Sequence, residues 1–140
     1  MFISERELKD KFWQYYNNKG RAVLHQFECS IREGNADLLT IEKYQGNYQL
    51  NSFEFKLTNI KQVFLQAEAN LTYVHKSWVV IPTEKTDLIL DKYSDYLKQQ
   101  RFIGVIVVET EGRWKVIHQP KLNDDVKYSQ AIINLMMTGY

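Results

Sequence analysis

The chain is expected to fold as α/β, with a mixed central sheet flanked by helices. Three observations carry that expectation. Two strand-like runs, 37–44 and 49–57, are joined by the turn signal Gln45-Gly46-Asn47. An amphipathic helical stretch over 59–75 follows at once. Two continuous apolar runs, Trp78–Pro82 and Phe102–Val108, read as buried central strands. An antiparallel start, a crossover helix and a further strand require both parallel and antiparallel pairing. The full order reads α-β-β-β-α-β-α-β-β-α, and 140 residues suit one domain, 1–140.

The first helix is expected over 4–18. Ser4 and Glu7 fit a capping box, and Leu8, Phe12, Tyr15 and Tyr16 recur at helical spacing. Asn17-Asn18-Lys19-Gly20 stops it, because glycine accepts the left-handed conformation. The aromatics Phe12, Trp13, Tyr15 and Tyr16 are either core or a surface on which bases stack. Residues 21–33 read as a strand ending at Gly34-Asn35, with His25 as an ordinary strand side chain.

Thr58-Asn59 offers an N-cap to the helix over 59–75. Ile60, Phe64, Ala67, Leu71 and Val74 form one apolar stripe for the sheet. A third helix is expected over 84–99, then the strand 102–108 and a hairpin through Thr110-Glu111-Gly112-Arg113 into Trp114–His118. His118 reads as structural. A last helix covers 126–138, where Met136-Met137 suits packing or a contact surface.

Chemistry concentrates at the outer end of the 37–57 hairpin. Pairing of its strands brings Asp37 close to Glu54 and Lys56. In a regular strand Glu54 and Lys56 project side by side while Phe55 points into a core. Two carboxylates and an ammonium are a fitting set for metal-assisted hydrolysis. Mg²⁺ takes oxygen ligands and needs few from the protein. It polarises a phosphoryl group and acidifies water, and a nearby lysine stabilises the charge that develops. Glu28 is a further candidate ligand, or else a surface glutamate on an edge strand.

Asp37 followed by Glu54-x-Lys56 resembles the PD-(D/E)XK nuclease superfamily, which includes type II restriction enzymes, Holliday-junction resolvases and repair and mobile-element nucleases. The similarity continues through IKQVFLQAEANLTYVHKSWVVIP, where a helix carrying Lys61 and Gln66 precedes an apolar strand ending in proline. It spans about residues 20–82. Ala36 stands where the superfamily often has proline. The resemblance implies a restriction-endonuclease-like αβββαβ core and a nuclease dependent on Mg²⁺ or Mn²⁺, with DNA as partner. It implies that Asp37, Glu54 and the Phe55 backbone carbonyl hold the metal and that Lys56 positions the water. Gln66 then supports the water, a phosphate or the lysine, and Lys61 contacts phosphate. On the residues alone, Gln66 and Lys61 are equally polar helix-surface positions.

Composition narrows the alternatives. A formal net charge of +1 argues against an indiscriminate electrostatic binder, though not against a local basic cleft. The lone Cys29 excludes an internal disulfide framework and multi-cysteine zinc clusters. The charged start MFISERELKDKF and the lack of a long apolar run point to a cytoplasmic protein with no membrane partner. Two other classes remain in play. One is an inactive nucleic-acid- or protein-binding module on the same fold. The other is an interaction protein using the surface around Trp13 or Met136-Met137. A chain of this length is expected to need a homodimer or a partner protein to cut both strands of a duplex.

Overall fold

The sheet has six strands in sequence order. In this computed structural model, which describes residues 1–126 and 128–138, β1 (Ala22–Cys29), β2 (Ala36–Tyr44), β3 (Asn47–Phe55), β4 (Lys76–Pro82), β5 (Ile103–Val108) and β6 (Trp114–His118) pair successively. Pairing is antiparallel for β1–β2–β3, parallel for β3–β4–β5 and antiparallel for β5–β6. This is the mixed sheet the sequence leads one to expect. The β2–β3 hairpin turns on Gln45 and Gly46, with φ of 51° and 82°. Two successive positive φ angles match the right-handed twist of the flanking strands, and Asn47 already belongs to β3.

One helix covers one face and four cover the other. Helix α1 (Glu5–Tyr16) is capped by Ser4, whose hydroxyl accepts from the Glu7 amide. It packs Leu8, Phe12 and Tyr16 against Leu38, Phe53, Phe55, Val80 and Ile106. Three of the four helical aromatics are therefore settled in position: Phe12 and Tyr16 lie in the core, and Trp13 packs partly buried against it. On the opposite face, α2 (Ile60–Asn70) lays Ile60, Val63, Phe64 and Ala67 over Val79, Ile81 and Val105. Asn59 caps it by accepting from the Gln62 amide. Helix α5 (Ser129–Met137) closes the β1–β3 end of the same face through Ile133, Leu39, Ile41 and Leu50. Its expected span includes Lys127, which lies outside the described residues.

Two helices differ from expectation. α2 ends at Asn70 rather than 75: the Asn70 side chain is engaged in tertiary bonds, and Thr72 and Val74 are β-branched. The 84–99 stretch is a 3-10 turn at Thr83–Lys85, then α3 (Thr86–Lys92) and α4 (Ser94–Gln99). The break falls at Tyr93, beside Ser94 and Asp95, which favour caps over helix interiors. Its ring packs on Phe64 of α2, 4.9 Å between centroids.

β1 ends at Cys29 instead of 33, and its last residues position the site. Glu28 has φ of 50°, a left-handed conformation that turns the strand over. Phe27 and its partner Leu38 pack toward α1, whereas Cys29 and its partner Ala36 pack toward α5. Two residues apart in a regular strand, each pair would share a face. Asp37 sits at this twist.

Candidate functional site

Asp37 bridges to the end of β3. Its Oδ2 accepts a hydrogen bond from the Phe55 amide at 2.9 Å, closing the hairpin end as the sequence suggests. Burial lifts its carboxyl above the ordinary range; the Phe55 amide and Lys9 oppose this, while Glu28 and Glu5 add to it.

Glu54 is next to it and has no solvent exposure. Being even-numbered in β3, it shares its face with Ser52, which faces α2 through Ser77 and the Ala67 carbonyl. Its Oε2 accepts from the Asn70 amide at 2.8 Å and from Arg32 Nη2 at 3.3 Å. Arg32 Nε in turn donates to Asn70 Oδ1 at 2.7 Å, so the three side chains close a ring. The other Glu54 oxygen, Oε1, is buried with no close hydrogen-bond partner among the described residues, the Asp37 backbone amide being the nearest contributor. Burial and the Asp37 charge push the Glu54 carboxyl up to about 7, against the pull of Asn70 and Arg32.

Lys56 and Glu54 do not project side by side, which corrects the expectation from strand alternation. β3 stops at Phe55, and the Lys56 ammonium reaches Glu5 in the first turn of α1, 3.7 Å away. The cation beside Glu54 is Arg32, from the loop after β1. Glu28 pairs with Lys9 of α1 at 3.5 Å and lies near enough to Asp37 to raise its carboxyl. Glu5, Lys9, Phe27, Glu28, Asp37 and Phe55 line an open cavity of about 550 Å³ at the start of α1. Among the described residues no three His, Cys, Asp or Glu side chains form a metal-holding group. Asp37 and Glu54 stand there as two neighbouring carboxylates.

On α2, Gln66 stands one turn before Asn70 and so shares its face. Its Oε1 is buried without a close hydrogen-bond partner among the described residues, like that of Glu54. Lys61 is exposed in the first turn of the same helix. Sequence reasoning missed Arg32 and Asn70. Asn70 was findable, since it repeats Gln66 at helical spacing. Arg32 was hidden by reading β1 through to residue 33. His25 packs in a tilted contact with Trp13, 4.5 Å between centroids, and His118 Nδ1 lies 3.1 Å from the Ile103 carbonyl oxygen.

No protein-family model matches the chain, and no curated protein does. A solved structure described as the SPO1766 protein of unknown function from Silicibacter pomeroyi is similar in fold. It has a TM-score of 0.65 and 10% sequence identity, over 99% of this chain and 84% of that one. At this identity the likeness shows the fold alone. Among the described residues no helix is long and apolar enough to cross a membrane.

Proposed function

We propose that the protein is a Mg²⁺- or Mn²⁺-dependent nuclease of the PD-(D/E)XK type, hydrolysing phosphodiester bonds in DNA. The observation that carries this reading is Glu54. A fully buried carboxylate whose second oxygen finds no close hydrogen-bond donor among the described residues beyond the neighbouring Asp37 backbone amide, and which lies beside another carboxylate, is a costly arrangement in an apolar sheet. A cation held there by Asp37, Glu54 and the Phe55 carbonyl, with Glu28 near the rim, would satisfy it. The order α1-β1-β2-β3-α2-β4 supports a restriction-endonuclease-like αβββαβ core.

When bound, a divalent ion supplies charge to the phosphoryl oxygens and acidifies the attacking water. The chain's own groups do the rest. Lys56, now paired with Glu5, would turn to the attacking water and the charge that develops on the phosphoryl oxygens. Gln66 Oε1 accepts from that water and fixes its direction. Arg32 and Asn70 hold Glu54 in one rotamer. Lys61 takes a flanking phosphate, and a second copy or a partner protein serves the opposite strand of a duplex.

One observation favours a second reading, an inactive binding module on the same fold. The Arg32 guanidinium lies 3.3 Å from Glu54 and already offsets part of the charge a metal would neutralise. The deciding experiment is cleavage of supercoiled, linear, single-stranded and branched DNA with Mg²⁺ or Mn²⁺, with calorimetry of metal binding. Activity that falls roughly a hundredfold or more in both Glu54→Ala and Lys56→Ala supports the nuclease. Absence of both cleavage and metal binding leaves the binding module.

A further inference from the structure

α1 has an open cavity at each end. The first, at Glu5, belongs to the candidate site. The second, of about 280 Å³, lies beside Tyr16 at the far end of the helix, on the same face of the sheet. α1 has 12 residues, so roughly 18 Å separates its ends. The five residue steps of β2 from Asp37 to Glu42 give a similar span.

The second cavity combines three kinds of group. Aromatic surfaces come from Tyr44, Trp78 and Trp114. Positive charge comes from Arg21, Lys43 and Lys76 against the single carboxylate of Glu42, in a protein whose formal net charge is only +1. The Arg21 guanidinium lies over the rings of both Tyr16 and Trp114, at 4.9 and 5.0 Å, and Lys76 over Tyr44 at 5.9 Å. Polar edges come from Glu42 and Asn51. Glu42 Oε2 accepts from Tyr16 at 2.6 Å and from Thr40 at 2.7 Å, which fixes the carboxylate and leaves Oε1 as an acceptor for a ligand. Asn51 Oδ1 accepts from Trp78 Nε1 at 3.1 Å, which leaves its amide N–H groups as donors.

Cations select an anion, flat rings select a planar group, and an oriented carboxylate selects a ring edge bearing N–H. From this combination we infer that the cavity is a binding site for an unpaired nucleotide. The base stacks on the exposed Tyr44 ring, beside Trp78 and Trp114, and presents its N–H edge to Glu42, and the phosphate sits between Arg21 and Lys76. The nucleotide is either free or part of a single strand that runs along α1. The inference does not depend on cleavage at Asp37 and Glu54.

Binding is measured in chelator, without divalent metal, so a failed cleavage assay leaves the result untouched. Tryptophan emission is followed during titration with nucleoside 5′-monophosphates, inorganic phosphate, a short single-stranded DNA and the same sequence as duplex. The monophosphates or the single strand should quench Trp78 and Trp114 saturably, while phosphate alone does not. Arg21→Ala and Lys76→Ala should each weaken binding about tenfold. Lys98→Ala, on exposed α4 surface, should leave it unchanged. A single strand that binds much more tightly than the monophosphates identifies a strand as ligand, and equal affinities identify a free nucleotide. The inference is overturned by the absence of saturable quenching, by duplex binding at least as tightly as single strand, or by unchanged affinity in both cavity variants.

Discussion

Asn70 donates to Glu54 Oε2 at 2.8 Å while its own oxygen accepts from Arg32 Nε at 2.7 Å. One helix-terminal amide thus satisfies half of a buried carboxylate and orients the guanidinium that balances its charge. Asn70 is itself fully buried, so its loss leaves both partners short of a hydrogen bond with no water to replace it. Asn70→Ala should cost about 1–3 kcal/mol in a urea titration. Asn70→Asp should cost more at pH 8 than at pH 5, because a third carboxylate beside Glu54 and Asp37 is tolerated only when protonated. Equal costs at the two pH values would sink this account of the ring.

Glu54 makes stability fall as pH rises. Burial raises its carboxyl to about 7 in the fold, above the ordinary carboxylate range. Between those two values the folded chain binds more protons than the unfolded one, so stability declines with rising pH across that interval. Glu54→Gln keeps the size and the acceptor for Asn70 and removes the titration. The variant should be more stable than wild type at pH 8 by roughly 1–3 kcal/mol, with little difference below pH 4. Saturating Mg²⁺ should narrow the gap at pH 8 if Glu54 is a ligand. Thermal melts at a series of pH values read all three outcomes.

His75 works in the opposite sense. The Leu50 amide donates to its Nδ1 at 2.9 Å, so the neutral ring carries its proton on Nε2, 3.2 Å from the buried Ser129 hydroxyl. Protonating Nδ1 breaks the bond to β3. Burial lowers the His75 pKa, with Asp124 partly opposing. A lowered histidine pKa gives stability that is present above the unfolded value near 6.5 and is lost as pH falls through the folded value. The protection of α5 amides against hydrogen exchange, taken relative to the intrinsic rate at each pH, should therefore fall between pH 7 and pH 5. His75→Gln should weaken that response, whereas Glu54→Gln should not.

The sheet was legible because its signals are local. Ser4 and Asn59 cap as their residue types suggest, Gln45-Gly46 turns the hairpin, and the apolar runs become β4 and β5. The approach of Asp37 to Phe55 followed from hairpin pairing alone. What stayed hidden depends on tertiary geometry. The left-handed Glu28 twists the end of β1 and changes which side chains share a face, and no alternation pattern encodes that. Lys56 was assigned to Glu54 on strand periodicity, but β3 ends one residue too soon and Glu5 takes the ammonium. Arg32 reaches Glu54 from a loop, where spacing carries no directional information. The break at Tyr93 was visible only as weak helix propensity within an otherwise continuous helical register.

Gly104 ties the central sheet to the aromatic cavity. A Cβ there would lie 2.6 Å from Pro120 Cδ and 2.6 Å from two ring carbons of Trp78. Neither neighbour is a flexible end. Trp78 is nearly buried, stacks parallel to Phe53 and is fixed by its bond to Asn51, and Pro120 is buried. Gly104→Ala must therefore displace the indole or the β5 backbone. It should cost about 1–3 kcal/mol in denaturant titration, as overpacking of a filled core does. Trp78 lines the cavity beside Tyr16, so the same variant should shift tryptophan emission and weaken nucleotide binding there. If Asp37 and Glu54 hold a metal as proposed, its affinity, at the other end of α1, should stay as it is. If calorimetry instead showed equal losses at both ends, the two sites would be coupled through the sheet and not independent.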